Sequence, residues 1–155
     1  LSIRQVIRSV DNNLLLLIVT SLALGSVIQI TGTANFLSQS LIDFLGESSP
    51  LVLLLCFYML VSITTNFISN NACAVLFTPI AIDIAEKINV DPKVFAIALI
   101  FAVNTSFITP LAYQTNLLVM GPGHYKFIDY VKFGLPLTVL CWVVFFVTFP
   151  LFYKL

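Results

Sequence analysis

Two groups of uncharged polar residues stand inside apolar sequence. The first packs Thr64, Thr65, Asn66, Ser69, Asn70 and Asn71 into a run, Ser48 to Ile82, that holds no charged residue. The second sets Asn104, Thr105, Ser106, Thr109, Tyr113, Gln114, Thr115 and Asn116 around Pro110, between apolar segments 95–103 and 117–120. Hydroxyls, amides and interrupted helices suit one chemistry, the binding of ions without proton transfer. A helix C-terminus offers free carbonyls, which suit a cation such as sodium. An N-terminus offers free N–H groups and about half a positive charge, which suits an anion. On this reading carbonyls near residues 65–68 face N–H groups near Asn71 and Ala72. Carbonyls near residues 106–109, Thr109 included, face N–H groups near Thr115 and Asn116. A proton relay or sodium/proton exchanger calls for an intramembrane carboxylate or histidine. Neither group has one; Asp83 and Glu86 stand well beyond the first, and His124 follows the Gly121-Pro122-Gly123 turn. An enzyme would need a nucleophile–base pair or a metal set, and no such pattern stands out.

The elements that hold these groups are set by composition. The 155 residues are 59% hydrophobic and only 9% charged, with zero formal net charge. A soluble domain carries about 25% charged residues. The chain therefore reads as an all-α polytopic membrane protein, with no basic face for nucleic acid. Uncharged stretches 12–42, 48–82, 94–125 and 133–153 are each long enough to enter or cross a hydrocarbon core, which takes about 20 helical residues. Cys56, Cys73 and Cys141 lie in apolar sequence without metal-ligand spacing and read as small packing residues. The chain opens with Leu directly onto a span and reads as part of a longer protein.

Taken in order, residues 14–31 form a first span, and 33–46 an amphipathic helix in the interface, with Phe36, Leu37, Leu41, Phe44 and Leu45 at helical spacing. Residues 51–68 and 72–87 are two helices joined by the first polar group. They form either two short spans with a surface turn or a re-entrant hairpin, 51–87, whose tip stops inside the membrane. Loops elsewhere carry charge and this tip carries none, which favours the hairpin. Residues 93–120 are a helix broken at membrane depth around Pro110; a kinked span, or a short span ending in a polar loop, is the alternative. A polar connector at 124–133 leads to a last span, 134–153, in which Trp142 reads as packing. Arg4, Arg8, Lys126 and Lys132 share one side and Lys87, Lys93 and Lys154 the other, which by a margin of one residue places the N-terminal segment in the cytoplasm.

Ser69-Asn70-Asn71-Ala72, Thr109-Pro110-Leu111-Ala112-Tyr113-Gln114-Thr115-Asn116 and Gly121-Pro122-Gly123, in that order, resemble the second half of the divalent-anion:sodium symporters, the sodium-coupled sulfate, dicarboxylate and citrate carriers. The wording is similar to the prokaryotic permease branch that carries cytosolic regulatory domains, and the resemblance covers essentially the whole chain. It implies one inverted-repeat half with a re-entrant hairpin and a broken helix, the first repeat lying on a missing N-terminal part of the same chain. It also implies a homodimer with an elevator-like motion and a prokaryotic inner (plasma) membrane. Sodium, the coupling ion, would meet Thr65, the Ile68 carbonyl, Asn70 and the Ala112 carbonyl. A small anionic substrate would meet Ser69, Asn70, Asn71 and Tyr113. Asn71 stands where the family signature has Thr, and Tyr113-Gln114-Thr115 where dicarboxylate carriers tend to have Thr-Pro-Pro. Both departures leave sulfate, another small oxyanion and a dicarboxylate open. A cation/proton exchanger of the same broad superfamily and a non-transporting membrane scaffold are the alternative readings.

Overall fold

The computed structural model describes residues 12–46 and 49–153, with α1 side chains described at Leu16, Val19, Thr20 and from Ala23 onward. Arg4, Arg8, Asp11, Glu47 and Lys154, on some of which the reading of membrane orientation rests, lie outside the described residues. Every regular element among the described residues is helical: α1 Asn12–Ile30, α2 Thr33–Leu45, α3 Pro50–Thr64, α4 Asn70–Lys87, α5 Pro92–Val103, α6 Gln114–Met120 and α7 Phe127–Phe152.

Local sequence explains most boundaries. Gly32, with φ of 72°, reverses the chain between α1 and α2, a conformation that costs a residue without a Cβ least. Ser49 caps α3, Ser69 caps α4 and Asp91 caps α5, each side-chain oxygen accepting a first-turn N–H, and Pro50 and Pro92 occupy helix starts where no N–H is missed. α7 begins seven residues earlier than the span expected at 134–153. The Asp129 carboxylate accepts the Lys126 N–H at 2.8 Å and so nucleates a helical turn inside the expected polar connector. α3 ends at Thr64, before the expected 68, and α4 starts at Asn70 rather than 72. Asn66 uses its side chain to close the end of α3, as described below.

The core lies where α3, α4 and α5 meet. Leu54, Phe57, Val61, Cys73, Ile84, Ala85, Phe95, Ala98 and Ala102 have no exposed surface. Phe57 sits between the rings of Phe77 and Phe95, at centroid distances of 6.0 and 5.7 Å. α4 packs most extensively against α5 and is covered further by α1 and α2. α7 joins through Phe145, which stacks on Tyr58 at 3.8 Å. α2 is tied to α4 by polar contacts. Lys87 Nζ reaches Asn35 Oδ1 at 2.5 Å, Ser38 Oγ at 2.7 Å and Asp83 at 2.9 Å, and the buried Ser38 hydroxyl donates to the Asp83 carboxylate.

Outside this core much of the surface is apolar. α7, with 26 residues and a mean hydropathy of 2.2, is the one helix among the described residues long and apolar enough to cross a membrane. Phe133, Leu140, Val147 and Leu151 on it are all exposed. An apolar face of this extent suits lipid or further protein rather than water.

Candidate functional site

The two polar groups meet. α3 stops at Thr64, the chain turns through residues 65–69, and α4 starts at Asn70; α5 stops at Val103 and α6 starts at Gln114. Pro110 falls between α5 and α6, where its missing N–H interrupts no helix. The ends of α3 and α5 and the start of α4 are stitched to one another rather than to solvent.

Asn66 makes the central stitch. It is 2% exposed. Its Nδ2 donates to Ser62 O at 2.7 Å and to Thr105 O at 3.2 Å, and its Oδ1 accepts the Ile108 N–H at 2.9 Å. The Thr109 hydroxyl donates to Asn66 O at 2.5 Å. Beside this stitch the Ser62 and Thr105 hydroxyls lie 2.5 Å apart, and Trp142 Nε1 donates to Ser62 Oγ at 2.7 Å. Trp142 therefore does more than pack; it ties α7 to the end of α3. One turn and two turns earlier on the same helix stand Thr138 and Gly134. A Cβ on Gly134 would lie 2.1 Å from Phe107 O, so α7 presses directly on the interrupted backbone there.

Asn70 lies at the junction itself. Its backbone N–H donates to Ala112 O at 3.3 Å, which sets the start of α4 against the second interruption. The inward end of its side-chain amide lies 3.0 Å from Thr65 Oγ1 and Ser106 Oγ, 3.2 Å from Ala112 O and 3.3 Å from Val103 O. All four neighbours are oxygens, and the two carbonyls can only accept. Thr65, Val103, Ser106 and Ala112 are buried. The amide pairs with this ring when its nitrogen faces inward and donates to the Val103 and Ala112 carbonyls. Val103 O also accepts the Thr65 hydroxyl at 3.1 Å, and Ala112 O the Asn70 N–H. The two hydroxyls and two carbonyls are hard oxygens of the kind that can hold a cation such as sodium.

Of the residues expected from sequence to hold sodium, Thr65, Asn70 and Ala112 come together. Val103 joins them and was not anticipated, because a main-chain carbonyl has no residue-type signature; Ser106, one of the second polar group, joins through its hydroxyl. Ile68 is exposed and sits in the turn; its carbonyl accepts no hydrogen bond among the described residues. Thr109 is engaged within the protein, its hydroxyl by Asn66 and its carbonyl by Asn116 Nδ2 at 3.3 Å. Asn116 likewise closes the second interruption. Its Nδ2 also reaches Ser106 O at 3.1 Å, and its own carbonyl accepts the Tyr130 hydroxyl at 2.7 Å.

Of the residues expected to meet an anion, Ser69 and Asn71 flank Asn70 in the chain and Tyr113 follows Ala112, so the Asn70–Ala112 hydrogen bond brings the two segments side by side. Ser69, Asn71, Tyr113 and Thr115 are exposed, in contrast to the buried oxygen ring. In the first turn of α4 the Asn70 N–H goes to Ala112 O, the Ala72 N–H to Ser69 Oγ at 3.4 Å and the Cys73 N–H to Ser69 O at 2.9 Å. The Asn71 N–H and side-chain amide have no protein partner among the described residues. A cavity of about 330 Å³ lies between the second interruption, α6 and α7, lined in part by Phe107, Tyr125, Asp129 and Tyr130. Its one charged lining residue is a carboxylate, which repels an anion.

A family model described as "Citrate transporter" matches residues 1–155. The chain belongs to the citrate transporter family. A Synechocystis sp. protein named "Uncharacterized transporter sll0640" is 40% identical over 117 residues, 76% of this chain and 19% of that protein. The Escherichia coli protein named "Uncharacterized transporter YfbS" is 36% identical over 139 residues, 90% of this chain and 23% of its own length. A Chlamydomonas reinhardtii protein named "Sodium/sulfate cotransporter 1" is 25% identical over 140 residues, 90% of this chain and 16% of its own length. The chain thus spans about a fifth of the length of the first two relatives. Family and relatives bear out the resemblance to the divalent-anion:sodium symporters. They are named as transporters rather than enzymes, and membership makes the all-helical chain part of a polytopic membrane protein.

Proposed function

We propose that this chain carries one half of the binding site of a sodium-coupled symporter for small anions such as sulfate or a dicarboxylate. The observation that carries this reading is the ring of oxygens around the Asn70 amide, formed where two interrupted helices meet. Sodium is held by Asn70 Oδ1, the Thr65 and Ser106 hydroxyls and the Val103 and Ala112 carbonyls, with the Ile68 carbonyl at the turn as a further oxygen. Thr109 and Asn116 hold the interruption in shape beside it. The anion lies on the exposed side, against Ser69, the Asn71 side chain and N–H at the start of α4, Tyr113 and Thr115. Cation and anion then sit on opposite sides of Asn70 and attract each other, which couples their binding. A broken helix that lines a site at membrane depth is a recurrent feature of secondary transporters.

The α3–α4 pair is read as a hairpin that enters and leaves on one side of the membrane. The exposed apolar faces meet lipid, the other repeat of the same chain and a second copy in a homodimer, in a prokaryotic inner membrane. Sulfate is favoured by the names of the distant Chlamydomonas relatives; citrate enters through the family description. The test is uptake of labelled sulfate, phosphate, succinate and citrate by the full-length protein in vesicles, with and without an inward sodium gradient. Uptake of at least one anion that requires sodium is the expected result. Uptake driven by a proton gradient without sodium would overturn the coupling.

A further inference from the structure

We propose that an internal water lies between α7 and the second interruption, held by the Thr138 hydroxyl and the Phe107 carbonyl. The proposal concerns the wall behind the junction and does not depend on which ion the junction binds.

Its starting point is a hydroxyl without a partner. Thr138 is 1% exposed, and its Oγ1 is buried with no hydrogen-bond partner among the described residues. The other threonines that have a residue four positions earlier in the same helix avoid this in one way. Thr20, Thr64, Thr78 and Thr148 each donate to the carbonyl four residues back, at 2.7, 2.8, 2.6 and 2.7 Å. Thr138 has Gly134 O at the same position in α7 and leaves it unused. Its hydroxyl is therefore turned to something else. A buried hydroxyl left unpaired bears the whole penalty of losing water, so native structures pair such groups with protein or with an ordered water.

The neighbours of Thr138 on α7 define what it faces. Gly134, one turn before, lies so close to Phe107 O that a Cβ would clash with it. Trp142, one turn after, donates to Ser62 Oγ, which lies 2.5 Å from Thr105 Oγ1. Positions 134, 138 and 142 share one face of the helix. Thr138 is thus set against the interrupted segment between Thr105 and Phe107. That segment carries a second unpaired group, since Phe107 O accepts no hydrogen bond among the described residues. One helical turn, about 5.4 Å, separates Thr138 from the glycine that touches this carbonyl. Such a gap is too wide for a direct hydrogen bond and suits a bridge through one water.

The chemistry of the two groups selects the ligand. The Thr138 hydroxyl both donates and accepts, whereas Phe107 O only accepts. A water donates to the carbonyl and completes the hydroxyl. Two oxygens are too few for a cation stripped of its own water. Phe107 also lies on a way in. It lines the cavity of about 330 Å³ together with Gly134 and Leu137, and a second cavity, of about 510 Å³, together with Thr105 and Cys141. Thr138 falls between these two groups of α7 residues. A buried water of this kind is part of the fold. Here it joins α7 to the residue between Ser106 and Ile108, which Asn116 and Asn66 hold from the other side.

The experiment uses the full-length protein. A cryo-EM map at a resolution that shows ordered water is recorded for wild type in sodium chloride and in choline chloride. A peak within hydrogen-bond distance of both Thr138 Oγ1 and Phe107 O is expected in both salts. A hydroxyl found on Gly134 O with no peak beside it overturns the inference. So does a peak that choline chloride removes, because that peak is an ion. The second measurement is the apparent Tm of Thr138→Val, which keeps the shape of the side chain and loses the hydroxyl. Loss of the water takes the donor from Phe107 O, and Tm should fall by several degrees. An unchanged Tm, as for a hydroxyl bonded back to its own helix, overturns the inference, and so does a raised Tm, as for a hydroxyl that pairs with nothing. If the variant does not fold, the wild-type maps decide.

Discussion

Replacing Asn66 by alanine removes three hydrogen bonds from the junction of the two interruptions. Two of the partners are then orphaned. Among the described residues, Ser62 O accepts only the Asn66 amide, at 2.7 Å, because the chain leaves α3 before a backbone N–H can reach it. Among them the Ile108 N–H likewise donates only to Asn66 Oδ1, at 2.9 Å. Thr105 O keeps the Phe107 N–H at 3.1 Å, so it contributes little. Each orphaned buried group costs about 1–3 kcal/mol, and Ile108 is half-buried, so the expected loss is about 2–4 kcal/mol. The assay is the apparent Tm of the purified full-length protein in detergent, followed as sodium is raised. Asn66→Ala should melt several degrees lower and need more sodium for the same stabilisation, since the ring rests on the backbone that Asn66 holds. Asn66→Asp serves as a control of equal size. It keeps an acceptor for Ile108 but faces the Ser62 and Thr105 carbonyls with a carboxylate, and should be no better than alanine. An Asn66→Ala protein with wild-type Tm and a wild-type sodium midpoint would refute the view that this side chain positions the site.

Other substitutions probe the supports of the same junction. Gly134→Ala places a methyl 2.1 Å from Phe107 O and 2.8 Å from Ile108 N, both backbone atoms. Overpacking of this kind costs about 1–3 kcal/mol, and a lowered apparent Tm with weakened sodium-dependent stabilisation is the outcome to look for. Trp142→Phe removes the 2.7 Å hydrogen bond to Ser62 Oγ while keeping an aromatic ring. The loss should be about 1 kcal/mol, seen as a modest drop in Tm with the sodium midpoint unchanged. Lys87→Met leaves the Asp83 carboxylate and the Asn35 side chain without their shared cation. α2 should then part from α4 more readily, with faster limited proteolysis near residues 33–46 as the measurement; an unchanged cleavage rate would count against a role for this contact.

Much of the fold was legible because hydrophobicity is written locally. The long apolar runs announce membrane helices, whereas the starts that Ser69 and Asp91 set by capping within one turn were not read from the sequence, and α4 begins two residues before the expected 72. The start of α7 was missed because Asp129, read from sequence as a connector charge, is a cap whose effect depends on where the chain before it turns. The candidate site was legible as two polar groups, since such residues inside apolar sequence demand partners. Which partner each one finds was not. Asn66, Thr109 and Asn116 have the same residue types as Asn71 and Thr115, yet the former are spent on holding the interruptions while the latter face outward.

The sequence by itself determined that this protein is helical and membrane-bound, and that two places in its apolar stretches carry uncharged polar groups suited to ions. Composition and spacing are enough for that, because burial in lipid penalises every polar group in the same way wherever it lies. Only the tertiary structure decided that the two interruptions meet, that Val103 and Ser106 complete a ring with Thr65, Asn70 and Ala112, and that Asn66 and Trp142 hold the junction. Main-chain carbonyls at helix ends look alike in any sequence. They become a site only when distant segments, here 65–70 and 103–112, turn them toward one point.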